Sequence, residues 1–141
     1  MKKKYTLKVF PAGAGREVYR IIEISGEHSL DDLCRAILSA YDFIDEHLYE
    51  FCMDNKMYGA WSYQSDPEDG EPSTRVKLDK IGLEMKQKFS LHYDFGDDWM
   101  FTISVQKITE TSEKVAPTVV KGKGSIEQYP EWDDEEENDY E

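Results

Sequence analysis

The chain has 141 residues, with 30 Asp and Glu against 17 Lys and Arg and a formal net charge of −13. That length holds one core-forming domain and leaves no room for a second catalytic module. Eight of the acids fall in residues 131–141, leaving 22 acids against 17 bases, or −5, over residues 1–130, so direct nucleic-acid binding through phosphate contacts is disfavoured.

Lys2, Lys3 and Lys4 precede a short apolar stretch and Ala12-Gly13-Ala14-Gly15, as in a signal peptide. Lys8 and Pro11 interrupt that stretch too early, and no run approaches the length of a membrane span. A cytoplasmic protein with no membrane partner is expected. Cys34 and Cys52 are isolated from each other and from any CxxC pair, so both read as buried small hydrophobes rather than as a disulfide or zinc ligands.

Residues 4–10 alternate, with Tyr5, Leu7 and Val9 on one side, which is the period of a half-buried strand. Residues 11–15 supply a turn, and residues 17–24 read as the second strand of a hairpin. Ser29 precedes Leu30-Asp31-Asp32, placing a capping hydroxyl and two acids at a helix start. Leu30, Leu33, Cys34, Ile37, Leu38 and Tyr41 then form one apolar stripe. Residues 47–53 and 57–63 read as strands around a turn at Asp54, Asn55 and Lys56. Residues 64–74 form a polar, acidic loop, and residues 76–83 suit a short helical turn closed by Gly82.

Phe89, Leu91, Tyr93 and Phe95 alternate with polar residues, and Trp99, Phe101, Ile103 and Val105 resume the same parity. A hairpin with Phe95 opposite Trp99 across Gly96-Asp97-Asp98 would put all eight on one face. A further strand is expected around residues 115–120. The sum is an α+β domain over residues 1–128, a mainly antiparallel sheet of about five to six strands with one main helix on one face. Residues 129–141 would follow as a disordered acidic tail in which like charges repel.

Candidate chemistry is sparse. Asp94-Phe95-Gly96 matches the magnesium-binding tripeptide of kinases, but the Gly-rich loop, strand lysine and catalytic loop that kinases need are missing, so a turn is the better reading. Asp94, Asp97 and Asp98 could gather carboxylates around a hard cation. His47 beside Asp45 and Glu46 could supply a base or a zinc ligand. No Ser or Cys sits in a nucleophile frame, so no catalytic residue is assigned. Among the 9 Tyr, 6 Phe and 3 Trp, Trp61, Tyr63 and Trp99, with Arg20 and His47, could line a pocket for a ligand or partner.

Val18-Tyr19-Arg20-Ile21, Ser29-Leu30-Asp31-Asp32-Leu33, His47-Leu48-Tyr49-Glu50-Phe51 and Tyr93-Asp94-Phe95-Gly96-Asp97-Asp98-Trp99 occur in an order that resembles the plasmid pRiA4b ORF-3-like family. These are small proteins of bacteria and archaea, some of them associated with mobile elements. The resemblance spans roughly residues 4–124 and implies a compact α+β domain. It implies no activity or cofactor. The family pattern has His where Tyr49 and Phe101 stand here and Trp at Tyr19, so a site built on those residues would be incomplete in this chain. The expected function is a small non-catalytic binding or interaction module for a protein or small ligand, with homo-oligomers available through edge strands. The alternatives are a metal-dependent enzyme and a nucleic-acid-associated accessory protein.

Overall fold

The computed structural model describes residues 2–129; the acidic tail expected from residue 129 lies outside them apart from its first residue. Strands β1 (Lys2–Pro11) and β2 (Tyr19–Ser25) precede helix α1 (Leu30–Ala40). Strands β3 (Tyr49–Cys52) and β4 (Ser62–Gln64), the short helix α2 (Leu78–Ile81), and strands β5 (Lys88–Tyr93), β6 (Trp99–Thr111) and β7 (Thr118–Lys123) complete the order. The fold is α+β, and all strands join one antiparallel sheet in the order β4-β3-β5-β6-β1-β2-β7. Among the described residues the sheet has seven strands rather than five or six, since both weak segments, expected at residues 57–63 and 115–120, pair into it as the three-residue β4 and the fully exposed β7.

One face of the sheet is apolar across every central strand. Tyr5, Leu7 and Val9 on β1 pair with Ile24, Ile22 and Arg20 on β2, and Leu7 and Val9 pair with Val105 and Ile103 on β6. One extra residue, Gln106, bulges from β6 between those pairs and Thr6↔Lys107, which keeps the apolar parity beyond it. On the other side of β6, Phe101, Leu91 and Phe51 continue the row through β5 and β3. Helix α1 covers this inner face with Leu30, Leu33, Cys34, Ile37 and Leu38, all buried. Its start is a capping box: the Asp32 N–H donates to Ser29 Oγ, and the Ser29 N–H donates to Asp32 Oδ2, both at 3.1 Å. Its end is tied down by Tyr41, whose hydroxyl donates to the Val9 carbonyl at 2.9 Å and whose ring stacks on Phe101. Both cysteines are free and buried, as their isolation suggested.

The sequence expectations fail in two places that later matter. The strand expected at residues 57–63 shrinks to β4, and residues 53–61 become a loop that folds back over the outer face of the sheet. The β5–β6 hairpin pairs Tyr93, not Phe95, with Trp99, so the turn runs from residue 94 to 98. Gly96 does not supply its positive φ; Asp94 (70°) and Asp98 (55°) do. Asp can occupy that region because its carboxylate bonds locally, and Asp94 Oδ1 accepts the Gly96 N–H at 3.0 Å. The expected strand at residues 115–120 exists but starts three residues later. Gly82, at φ 84°, ends α2 as anticipated. Among the described residues, no helix is long and apolar enough to cross a membrane.

Candidate functional site

On the outer face, one residue out of step with the apolar row, a charged row crosses the same strands. Gln64 on β4 opposes Glu50 on β3, Glu50 opposes His92 on β5, and His92 opposes Met100 on β6. His92 and Glu50 are fully buried. Glu50 Oε2 lies 2.8 Å from His92 Nδ1, and Asp98 Oδ1, brought in by the β5–β6 turn, lies 2.7 Å from His92 Nε2. The imidazole is thus held between two carboxylates. Glu50 also accepts the Tyr58 N–H and the Gln64 side-chain amide, each at 2.9 Å. Burial pushes the Glu50 carboxyl upward, but hydrogen bonds from His92, the Tyr58 N–H and Gln64 outweigh it and hold the group below the ordinary glutamate range. The neighbouring Cys52 thiol is pushed up to about 12, first by burial and then by the charge of Glu50.

The roof of this row is strained. Tyr58 adopts φ 52° and Asp98 55°, and both touch His92; Asn55 (61°), on Ser90, and Asp94 (70°), in the β5–β6 turn, are strained in the same way. For a bulky aromatic residue such as Tyr58 this conformation is uncommon and costs free energy, so it persists only where the surroundings impose it. Its ring meets His92 edge-on at 5.0 Å, and Phe95 packs on the imidazole at the same distance and on the Tyr58 ring at 5.8 Å. Asn55 bonds the Ser90 hydroxyl. Beside the roof is a cleft of about 380 Å³ lined by Glu50, Tyr58, Trp61, Gln64, Glu71 and Pro72 among others.

The residues singled out from sequence scatter around this centre. Trp61, half exposed, lines the cleft. Tyr63 and Trp99 lie on the inner face against the core, Trp99 packed on Phe43 and Phe101. Arg20 is at the C-terminal end of α1, with its guanidinium 4.5 Å from the centre of the Tyr41 ring and bonded to the carbonyls of Ala40, Tyr19 and Lys123. It lines a separate cleft of about 620 Å³ closed by residues 125–129.

The metal candidates divide as well. His47 Nε2 lies 3.5 Å from Asp94 Oδ2, but its nearest partner is the Tyr129 hydroxyl at 2.6 Å. That hydroxyl donates its proton to Glu46 Oε2 at 3.0 Å. Asp98 belongs to His92, while Asp45 and Asp97 are exposed. Among the described residues, no three His, Cys, Asp or Glu side chains are grouped so as to hold a metal ion. The third histidine, His28, is engaged by Asp32 and by the Val115 carbonyl.

Glu50 and His92 were the pair that sequence reasoning missed as a site. The available signal was a charged residue inside an aromatic strand, Tyr49-Glu50-Phe51, sharing outward parity with a histidine inside another. Only the β3–β5 pairing, 42 residues apart, reveals that they meet.

Comparison with known proteins gives two findings. The family model described as plasmid pRiA4b ORF-3-like protein matches residues 3–132. The crystal structure of a protein of unknown function from Methanosarcina mazei Go1 superposes with a TM-score of 0.68 at 26% sequence identity, covering 86% of this chain and 70% of that one. No curated protein matches the chain.

Proposed function

The chain belongs to the plasmid pRiA4b ORF-3-like family, and from that premise we propose that it is a small, non-catalytic, cytoplasmic binding module. Its working part is a single domain over residues 1–128, and its binding site is the cleft beside Glu50, Tyr58 and Trp61. The observation that carries the reading is that the cleft is lined by a non-glycine residue held at positive φ, Tyr58, and by a buried acid, Glu50. Both are unfavourable for folding taken alone, and such features cluster where a ligand is received.

Binding is favoured over catalysis because the ring nitrogens that could act as bases are already engaged. His92 is held on both sides by carboxylates, His28 by Asp32 and a carbonyl, and His47 Nε2 by Tyr129. A protein or small ligand fits the site better than nucleic acid, since phosphate would meet Glu50 and Glu71 at the cleft. The test is amide NMR of the 15N-labelled protein against a panel of small probes of mixed charge and aromaticity. Perturbations centred on residues 58–64 are expected. A panel that shifts only other surfaces, or none, removes the reading.

A further inference from the structure

We infer that the cleft beside Glu50 and Trp61 receives a cationic side chain, the guanidinium of arginine or the ammonium of lysine, presented by a partner protein. This rests on the reading that the cleft is the binding site and gives it a ligand chemistry.

The lining includes two acidic residues, Glu50, whose carboxylate is tied to His92, Gln64 and the Tyr58 N–H, and the exposed Glu71, and no Lys or Arg. More negative charge stands behind it. Asp98 is joined to Glu50 through His92, and a buried Asp54 carboxylate oxygen with no hydrogen-bond partner among the described residues lies against Gly59, a lining residue. The Tyr58 hydroxyl registers this field: its ionisation is shifted upward, first by desolvation and then by the charges of Asp98 and Glu50. Two aromatic residues of the lining are exposed at the same place, Tyr58 at 64% and Trp61 at 50%. Carboxylates combined with accessible aromatic faces are the elements that hold organic cations, by ion pairing together with attraction to the ring quadrupole.

Size and rim choose between sources of the cation. A volume of about 380 Å³ lies near the lower end of ligand pockets and suits one long side chain. Met57, Tyr58 and Trp61 form a run of exposed large apolar side chains on the loop that borders the cleft. That surface would be idle around a free amine but can be covered by the chain carrying the cation.

The experiment is NMR titration of the full chain with blocked peptides, Gly-Arg-Gly and Gly-Lys-Gly, against Gly-citrulline-Gly as the neutral isostere, Gly-Glu-Gly as the anion, and butylguanidinium as the free cation. The arginine and lysine peptides should shift the Trp61 indole and the Gln64 amide, and bind at least about tenfold more tightly than the citrulline peptide. Butylguanidinium should bind at the same place but more weakly than the arginine peptide. Trp61→Ala should weaken the arginine peptide by about fivefold or more, and Glu71→Gln by roughly two- to fivefold, while the distant exposed Glu110→Gln changes nothing. Preferential binding of the citrulline or glutamate peptide in the cleft overturns the cation and leaves the binding site standing. Butylguanidinium binding as well as the peptide overturns the protein source. Failure of every probe to reach residues 58–64 overturns both the inference and the reading beneath it.

Discussion

Two rows of side chains cross the same three strands one residue apart, and they are built on opposite principles. On the inner face Phe51, Leu91 and Phe101 are fully buried and apolar. Each removes apolar surface from water, which favours folding by about 1.5–3 kcal/mol per side chain. On the outer face Glu50, His92 and Met100 occupy the next rung, with the first two just as buried but charged or polar. Taking such groups from water is costly, and their mutual attraction only offsets that cost; apolar replacements of similar volume are often no less stable. The inner row explains why the chain folds. The outer row needs another reason to exist, and the adjoining cleft supplies one.

The comparison can be broken first where it is strongest. Phe101→Ala should lower stability by about 3–5 kcal/mol, measured by equilibrium urea denaturation. His92→Ala should cost about 3 kcal/mol, because it leaves Glu50 as a buried charge without its partner. Adding Glu50→Gln to His92→Ala should recover part of that loss, a recovery that no second substitution beside Phe101 should produce. Tyr58→Gly should change stability by less than about 1 kcal/mol, since relief of the positive φ offsets the lost ring contacts. The same substitution should weaken cleft binding, separating site from fold. The smallest effect is a slope with pH. Glu50 and Asp32 are held below their ordinary values of 4.5 and 3.8. Their contribution is therefore complete above those values and is lost as pH falls through the lower folded-state values. Thermal melts should show Tm declining below about pH 4.5, more gently in Glu50→Gln.

The two rows also differ in how far they could be read from the sequence. The inner face was legible because it is periodic: the Tyr5, Leu7, Val9 parity, the α1 stripe with its Ser29 cap, and seven of the eight odd-numbered apolar residues from Phe89 to Val105, all but Phe95, reappear in the structure. Parity survived even where register did not. The hairpin slipped by two residues because Asp94 and Asp98, rather than Gly96, take the left-handed positions, and because Phe95 leaves the strand to cover His92. The outer site was illegible for the same physical reason that it exists. Its members come from β3, β4, β5 and two loops, and nothing local marks Glu50 as the partner of a histidine 42 residues away. Residues 57–61 read as strand by composition, but the Tyr58 N–H goes to Glu50 and the Trp61 carbonyl accepts the Met53 N–H, which bends the segment into the roof. Tyr63 and Trp99 carried aromatic signals that the inner core absorbed.

The most direct test replaces the whole outer row at once, in the triple variant Glu50→Gln, His92→Leu, Asp98→Asn, and measures urea denaturation and arginine-peptide binding on the same preparation. Stability within about 2 kcal/mol of the parent, with binding in the cleft lost, is the result expected if the row is kept for the site. A loss of stability comparable to that of Phe101→Ala, or peptide binding that survives unchanged, would contradict it.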